Sequence, residues 1–207
     1  MPIKIGAAPE NDFNRPLGLL SDCHRRIERF LGQLLRVTEQ ARGGPLDIAQ
    51  QEALETALRY FERAAPLHTR DEEESLFPRM RASGSAEVEA ALAAVEALEA
   101  DHRTADEAHA EVDRLGRRWL EEGTLSLEET DCLLTLLLNL REMYRRHIAV
   151  EDNQIFPLAG AVLEPSAITA LGREMATRRG LDFDNLPLVS RCAQRRLERE
   201  ADVNGGK

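Results

Sequence analysis

Cysteine is scarce in this 207-residue chain: Cys23, Cys132 and Cys192 lie far apart and form no CxxC pair. That excludes a disulfide framework and a zinc knuckle, and it makes a reducing, cytoplasmic compartment the expectation. Aromatic residues are also few, at 4% of the sequence. Helix formers (Ala, Leu, Glu, Arg) dominate instead, which favours helices over sheets. Basic excess is absent too: 27 Lys and Arg against 37 Asp and Glu leave a formal charge of -10. Such a surface gives phosphates no basic face, so a nucleic-acid partner is not expected. Long apolar runs are missing, and the opening MPIKIGAAPENDF has no apolar core of signal-peptide length. No membrane span is expected.

What the chain does contain is helical periodicity, interrupted at turn residues. Residues 1–15 read as an irregular leader. A first helix is predicted from Pro16, a favoured first-turn residue, to the stop at Gly43-Gly44-Pro45, with Leu20, Ile27, Leu31 and Leu34 on its apolar side. A second runs from about Ile48 to beyond Leu76 and carries Leu54, Leu58, Phe61 and Ala65 in a stripe. After a turn at Gly84, a third covers about Glu87 to Glu121 and ends at Gly123. A fourth follows the capping box Ser126–Glu129 with Leu133, Leu137, Leu140 and Tyr144. Apolar residues alternating at three and four predict an all-α, up-down-up-down antiparallel four-helix bundle over residues 16–160. Residues 161–207 form a helical extension, with one helix over about Pro165–Met175 closed by Gly180 and another over Leu186–Glu200. It caps the bundle or makes a homodimer contact; the sequence does not choose.

The chain is written twice. HTRDEEESLFP (68–78) recurs as HIAVEDNQIFP (147–157), preserving a histidine, a glutamate four residues on, and Phe-Pro. The first helix of each half repeats as well, around His24 and His102, each with a carboxylate four residues later (Glu28, Asp106). Helical rise tests whether the histidines meet. His24 stands ~26 Å before its turn and His68 ~30 Å after it, and the second half gives ~30 Å on each side. All four histidines therefore share one layer. His68 and Glu72 extend the second helix's apolar stripe, and His147 and Glu151 extend the fourth's. Burying these groups without partners costs on the order of several kcal/mol. A cation removes that cost, and residues at i and i+4 reach it together. His109 falls on the inward stripe of the third helix, seven residues and ~10 Å past His102. It reads as a structural, hydrogen-bonded histidine rather than a ligand.

Imidazole and carboxylate without thiolate suit iron, manganese or zinc. Six ligands exceed one tetrahedral zinc. Two metals fit better, with two histidines each, Glu72 and Glu151 bridging, and an oxo or hydroxo bridge between them. One position on each metal then stays open for a small ligand such as dioxygen or nitric oxide. The count does not fix which histidines pair on which metal.

One histidine on the first helix, HxxxE followed by [LI]FP on the second and fourth, and one histidine on the third resemble the hemerythrin HHE cation-binding domain. The resemblance spans about residues 16–180, including LGREMATRRG (171–180), similar to tails of bacterial members. It implies a di-iron site carried by His24, His68, Glu72, His102, His147 and Glu151, with manganese or zinc as substitutes. This set is most similar to the four-histidine, two-glutamate centre of iron-centre repair proteins. Two features depart from the relatives. Oxygen carriers have a second histidine four residues after the first on the third helix, where this chain has Asp106. The repair proteins carry a cysteine-bearing N-terminal segment, whereas the leader here has no cysteine. Neither reversible oxygen carriage nor the repair role transfers. The functional expectation is a di-iron protein that binds or reduces a small ligand in sensing, storage or iron homeostasis. The alternatives are a di-iron oxidase or peroxide-decomposing enzyme, and a metal-stabilised structural module. Glu28 and Asp106 are candidate extra ligands or acceptors for the histidines, or else solvated carboxylates. Tyr144 is core or a contact to a bound ligand, and Cys23 is assigned no chemistry. In purified protein, His68→Ala and His147→Ala should each lower iron content while His109→Ala should not; equal loss in the His109 variant would show a larger site.

Overall fold

A computed structural model describes residues 11–186. The expected helix over Leu186–Glu200 and most of the leader lie outside the described residues. The chain is built from helices: α1 (Pro16–Ala41), α2 (Ile48–Arg63), α3 (Ala65–Asp71), α4 (Phe77–Ala82), α5 (Ala86–Glu122), α6 (Leu127–Val150), α7 (Phe156–Val162) and α8 (Pro165–Arg178). α1 packs on α2 and α6, and α5 packs on the same two helices, so these four enclose a common core.

Chain ends follow local chemistry. α1 starts with proline near its first position and stops where Arg42 and Gly43 take left-handed backbone (φ 48° and 73°). Asp47 and Gln50 form a capping box for α2, as Ser126 and Glu129 do for α6. The two inter-helix turns meet: Leu125 N donates to Gly43 O (2.8 Å), and the Trp119 indole donates to Gly44 O (2.9 Å). Both turns therefore lie at one end of the molecule.

The expected second helix is not continuous. It breaks at Ala64, whose φ of -101° departs from helical values, just before Pro66. Pro66 has no N–H to give the preceding turn, so the helix resets there. A second irregularity occupies Glu72–Leu76, a π-helical turn in which Phe77 N donates to Glu72 O. Its repeat is Glu151–Ile155, with Phe156 N donating to Glu151 O. In each case a proline follows directly (Pro78, Pro157) and again withholds an N–H. One extra residue per turn is accommodated where the glutamates sit, a common place for such turns.

Two apolar clusters fill the interior. One, around Leu34, Leu58, Leu115, Trp119 and Leu137, lies toward the paired turns. The other, around Leu20, Leu76, Phe77, Val95, Ile155 and Met175, lies beyond the histidine layer. α8 contacts α1 and α3. It is tied down by charge: Arg178 (2.9 Å) and Arg179 (2.7 Å) both pair with Asp71, which is fully buried. Among the described residues no helix is long and apolar enough to cross a membrane.

The lone tryptophan, Trp119, is fully buried and also bonds the turn. Trp119→Ala is expected to lower unfolding stability by about 3–5 kcal/mol. Trp119→Phe, which keeps most of the packing but loses the bond to Gly44, should cost less. Denaturant titration followed by circular dichroism reads both; an Ala variant as stable as the parent would contradict this packing.

Candidate metal centre

Six polar side chains share the layer between the apolar clusters. His24, His68, His102 and His147 are at most 5% exposed, and Glu72 and Glu151 have no exposed surface. Their Nε2 atoms and carboxylate oxygens converge. His24 Nε2 is 3.0 Å from Glu151 Oε2 and 3.9 Å from Glu72 Oε1, which is 3.3 Å from His68 Nε2. On the other side, His147 Nε2 is 3.2 Å from Glu151 Oε1, and His102 Nε2 is 3.5 Å from Glu72 Oε2. Each glutamate thus turns one oxygen toward each histidine pair. The pairs are His24 with His68 and His102 with His147, so each half of the repeat supplies one. Spacings near 3 Å are those of neighbouring ligands around an ion with ~2.1 Å bonds.

The outer ring nitrogens of three of the four histidines are held by carboxylates. His24 Nδ1 lies 3.0 Å from Asp152 Oδ1, which also accepts from Ser21 Oγ (2.7 Å). His102 Nδ1 lies 2.9 Å from Glu73 Oε1, and His147 Nδ1 lies 3.4 Å from Asp101 Oδ2. Such partners place the ring proton on Nδ1 and leave Nε2 as a lone-pair donor. His102 and His147 then point lone pairs at each other across 3.1 Å. That arrangement is repulsive unless an electrophile lies between or beside them. The same need appears at the four glutamate oxygens, which are buried with only the clustered imidazoles beside them. The donor set therefore fits metal cations.

Electrostatics agree with this. Burial, together with the charge of His24, holds the His68 imidazole well below its ordinary pKa and therefore neutral. Burial also opposes a charge on His24, but the Asp152 and Glu151 carboxylates outweigh it and raise that histidine to about 9. Burial and the neighbouring Glu151 push Glu72 up. Glu151 is held down because His147 and His24 overcome its own burial. Without metal, the cluster accommodates its charge only by sharing protons.

The structure brings together all six residues singled out from the sequence and leaves the others outside. Glu28 and Asp106 are exposed. His109 stacks on Phe61 (centroids 4.2 Å apart), and its Nε2 lies 3.0 Å from the Tyr144 hydroxyl. Burial lowers its pKa to about 4, so it is neutral. Cys23 is buried, its carbonyl accepts from the Tyr60 hydroxyl at 3.5 Å, and Arg26 donates to its sulfur. Sequence reasoning missed the three outer carboxylates. Two of them carried a signal: Glu73 and Asp152 each directly follow the glutamate of the repeated motif.

The family model for the hemerythrin HHE cation-binding domain matches residues 15–159. The chain belongs to this family. An uncharacterized protein of Haemophilus influenzae is 28% identical to it over 173 residues, covering 81% of this chain and 91% of the relative. Hemerythrin-like domains bind metal cations, and the histidine–glutamate cluster is the matching feature here. Asp152→Ala, which frees the His24 ring, should weaken ferrous iron binding roughly 10–100-fold in competition with a chelator. Unchanged affinity would show that the outer carboxylates do not orient the histidines.

Proposed function

We propose that the protein is a non-heme di-iron protein with His24, His68, Glu72, His102, His147 and Glu151 as ligands. In this reading it binds or reduces a small ligand such as dioxygen or nitric oxide, in sensing, storage or iron homeostasis. The observation that carries the proposal is the disposition of Glu72 and Glu151, each with one oxygen toward either histidine pair. His24 and His68 would hold one ion and His102 and His147 the other, with Glu72 and Glu151 each able to reach both. Residues 16–160 form the binding unit as an up-down-up-down bundle, and residues 161–186 form an extension.

Bound iron supplies a redox-active Lewis acid able to exchange a small ligand. The protein supplies the rest. Four neutral imidazoles and only two carboxylates leave the ions less charge-neutralised than a carboxylate-rich site does, which favours reversible ligand binding over strongly oxidising chemistry. The apolar clusters on both sides of the layer limit water. A cavity of about 10 Å³ touches all four histidines and Tyr144, on the scale of an ion or one water molecule.

Anaerobic reconstitution followed by metal analysis should give about two iron ions per chain, as the two half-sites require. Adding nitric oxide to the reduced protein, or dioxygen, should change its optical spectrum. Less than one tightly held metal would refute the di-iron reading. Two irons with a spectrum indifferent to both gases would refute ligand handling and favour a structural role.

A further inference from the structure

The two halves of the repeat agree at the six central residues and depart from each other just beside them. On the second and fourth helices, Tyr144 corresponds to Ala65 and Arg145 to Pro66. On the first and third, His109 corresponds to Leu31 and Asp106 to Glu28. Leu31 is an ordinary core leucine, 2% exposed. His109, in the equivalent place, is instead a neutral imidazole whose Nδ1 is buried without a hydrogen-bond partner. The third helix thus buries a polar group where the first packs a leucine, at a cost that the core does not require.

What surrounds His109 gives that departure a purpose. A second cavity, of about 30 Å³, is lined by His109, Asp106, Pro66, Ala65, Thr69 and Tyr144, among others. Asp106 and Pro66 are exposed, so it begins at the surface, where the break between α2 and α3 faces α5. Ala65, Thr69, His102 and Tyr144 line this cavity and the inner one alike. The two spaces are therefore neighbours with a common wall. Each is of a size for one or a few water molecules. Tyr144 stands in the shared wall with its hydroxyl held by His109 at 3.0 Å. Its pseudo-equivalent across the site, Ala65, is the smallest residue that still lines both spaces.

We propose that small ligands reach the histidine–glutamate cluster through a passage between α3 and α5, entered at Pro66 and Asp106 and closed by Tyr144, which His109 latches. The passage admits molecules of about two heavy atoms and excludes larger reductants and chelators, so it sets which ligands the centre meets. The helix break at Ala64 opens it, which accounts for a proline in one half where the other has Arg145 in unbroken helix. This inference rests on the di-iron reading.

The test is anaerobic stopped-flow binding of nitric oxide to the reduced, iron-loaded full chain, with iron content and the end-point spectrum measured for every variant. Ala65→Leu fills the shared wall and should slow binding about tenfold or more. Ala105→Leu, which narrows the outer cavity from α5, gives the same test where the first variant loses its iron. Tyr144→Phe removes the latch while keeping the ring and should speed binding several-fold. Asn139→Phe narrows the separate groove between α5 and α6 and should leave the rate unchanged. Equal rates in the parent, Ala65→Leu and Tyr144→Phe proteins, all with full iron, would overturn the passage while leaving the di-iron reading intact. Slowing by Asn139→Phe alone would place entry in the other groove and likewise overturn it. A parent protein that holds no iron would instead fail the underlying functional reading.

Discussion

Two carboxylates with no exposed surface stand among four buried imidazoles in the middle of an otherwise apolar core. Groups of this kind lose several kcal/mol each on leaving water unless they are paired. Protons shared within the cluster answer part of that demand, and cations answer it more fully. The rest of the structure serves this layer. Apolar clusters close it on both sides, the paired turns fix the register of the helices, and π-helical turns begin at the two glutamates. Outer carboxylates then orient three of the four rings.

Duplication explains how such a site is assembled from one chain. Each half contributes a histidine pair and a glutamate, and each half's acidic residue after that glutamate reaches a histidine of the other half (Glu73 to His102, Asp152 to His24). The halves have then diverged where symmetry is not needed. Asp71, clamped by Arg178 and Arg179 of α8, corresponds to the apolar Val150. The extension therefore braces only the turn that presents Glu72. His68 differs in a related way, for its Nδ1 is buried without a hydrogen-bond partner while the other three rings have carboxylates. Asp101, the partner of His147, corresponds in the repeat to Cys23. α8 thus braces the turn that presents Glu72, while carboxylates hold His24 of the first half and both rings of the second.

Much of this was legible in the sequence because the signals were periodic or local. Gly43, Gly84 and Gly123 marked turns correctly, and Ser126 with Glu129 marked the start of α6. The repeat made the six central residues visible, since histidines at matched distances from matched turns must come to one level. What escaped was non-periodic. Pro66 lay inside a good apolar stripe and was read through, although its missing N–H breaks the helix at Ala64. Pro78 and Pro157 likewise announced the π-helical turns, but a stripe counted at i and i+4 does not register one extra residue per turn. Glu28 and Asp106, the carboxylates one turn beyond the histidines and open to either reading in the sequence, are exposed, and the acceptors of the rings come from elsewhere. Residues adjacent to the motif, reaching across to another helix, leave no trace in the periodicity of their own.

If the buried cluster is built around cations, metal must stabilise the fold itself. The direct measurement is denaturant unfolding of the metal-free chain with and without excess ferrous iron under anaerobic conditions. At a hundred to a thousand times the dissociation constant, iron should raise the unfolding free energy by about 2.7–4.1 kcal/mol. The His68→Ala variant should show less of this gain than the parent. Coincident unfolding curves for the parent protein with and without iron would contradict the account, because the buried carboxylates would then have their charge met by the polypeptide alone.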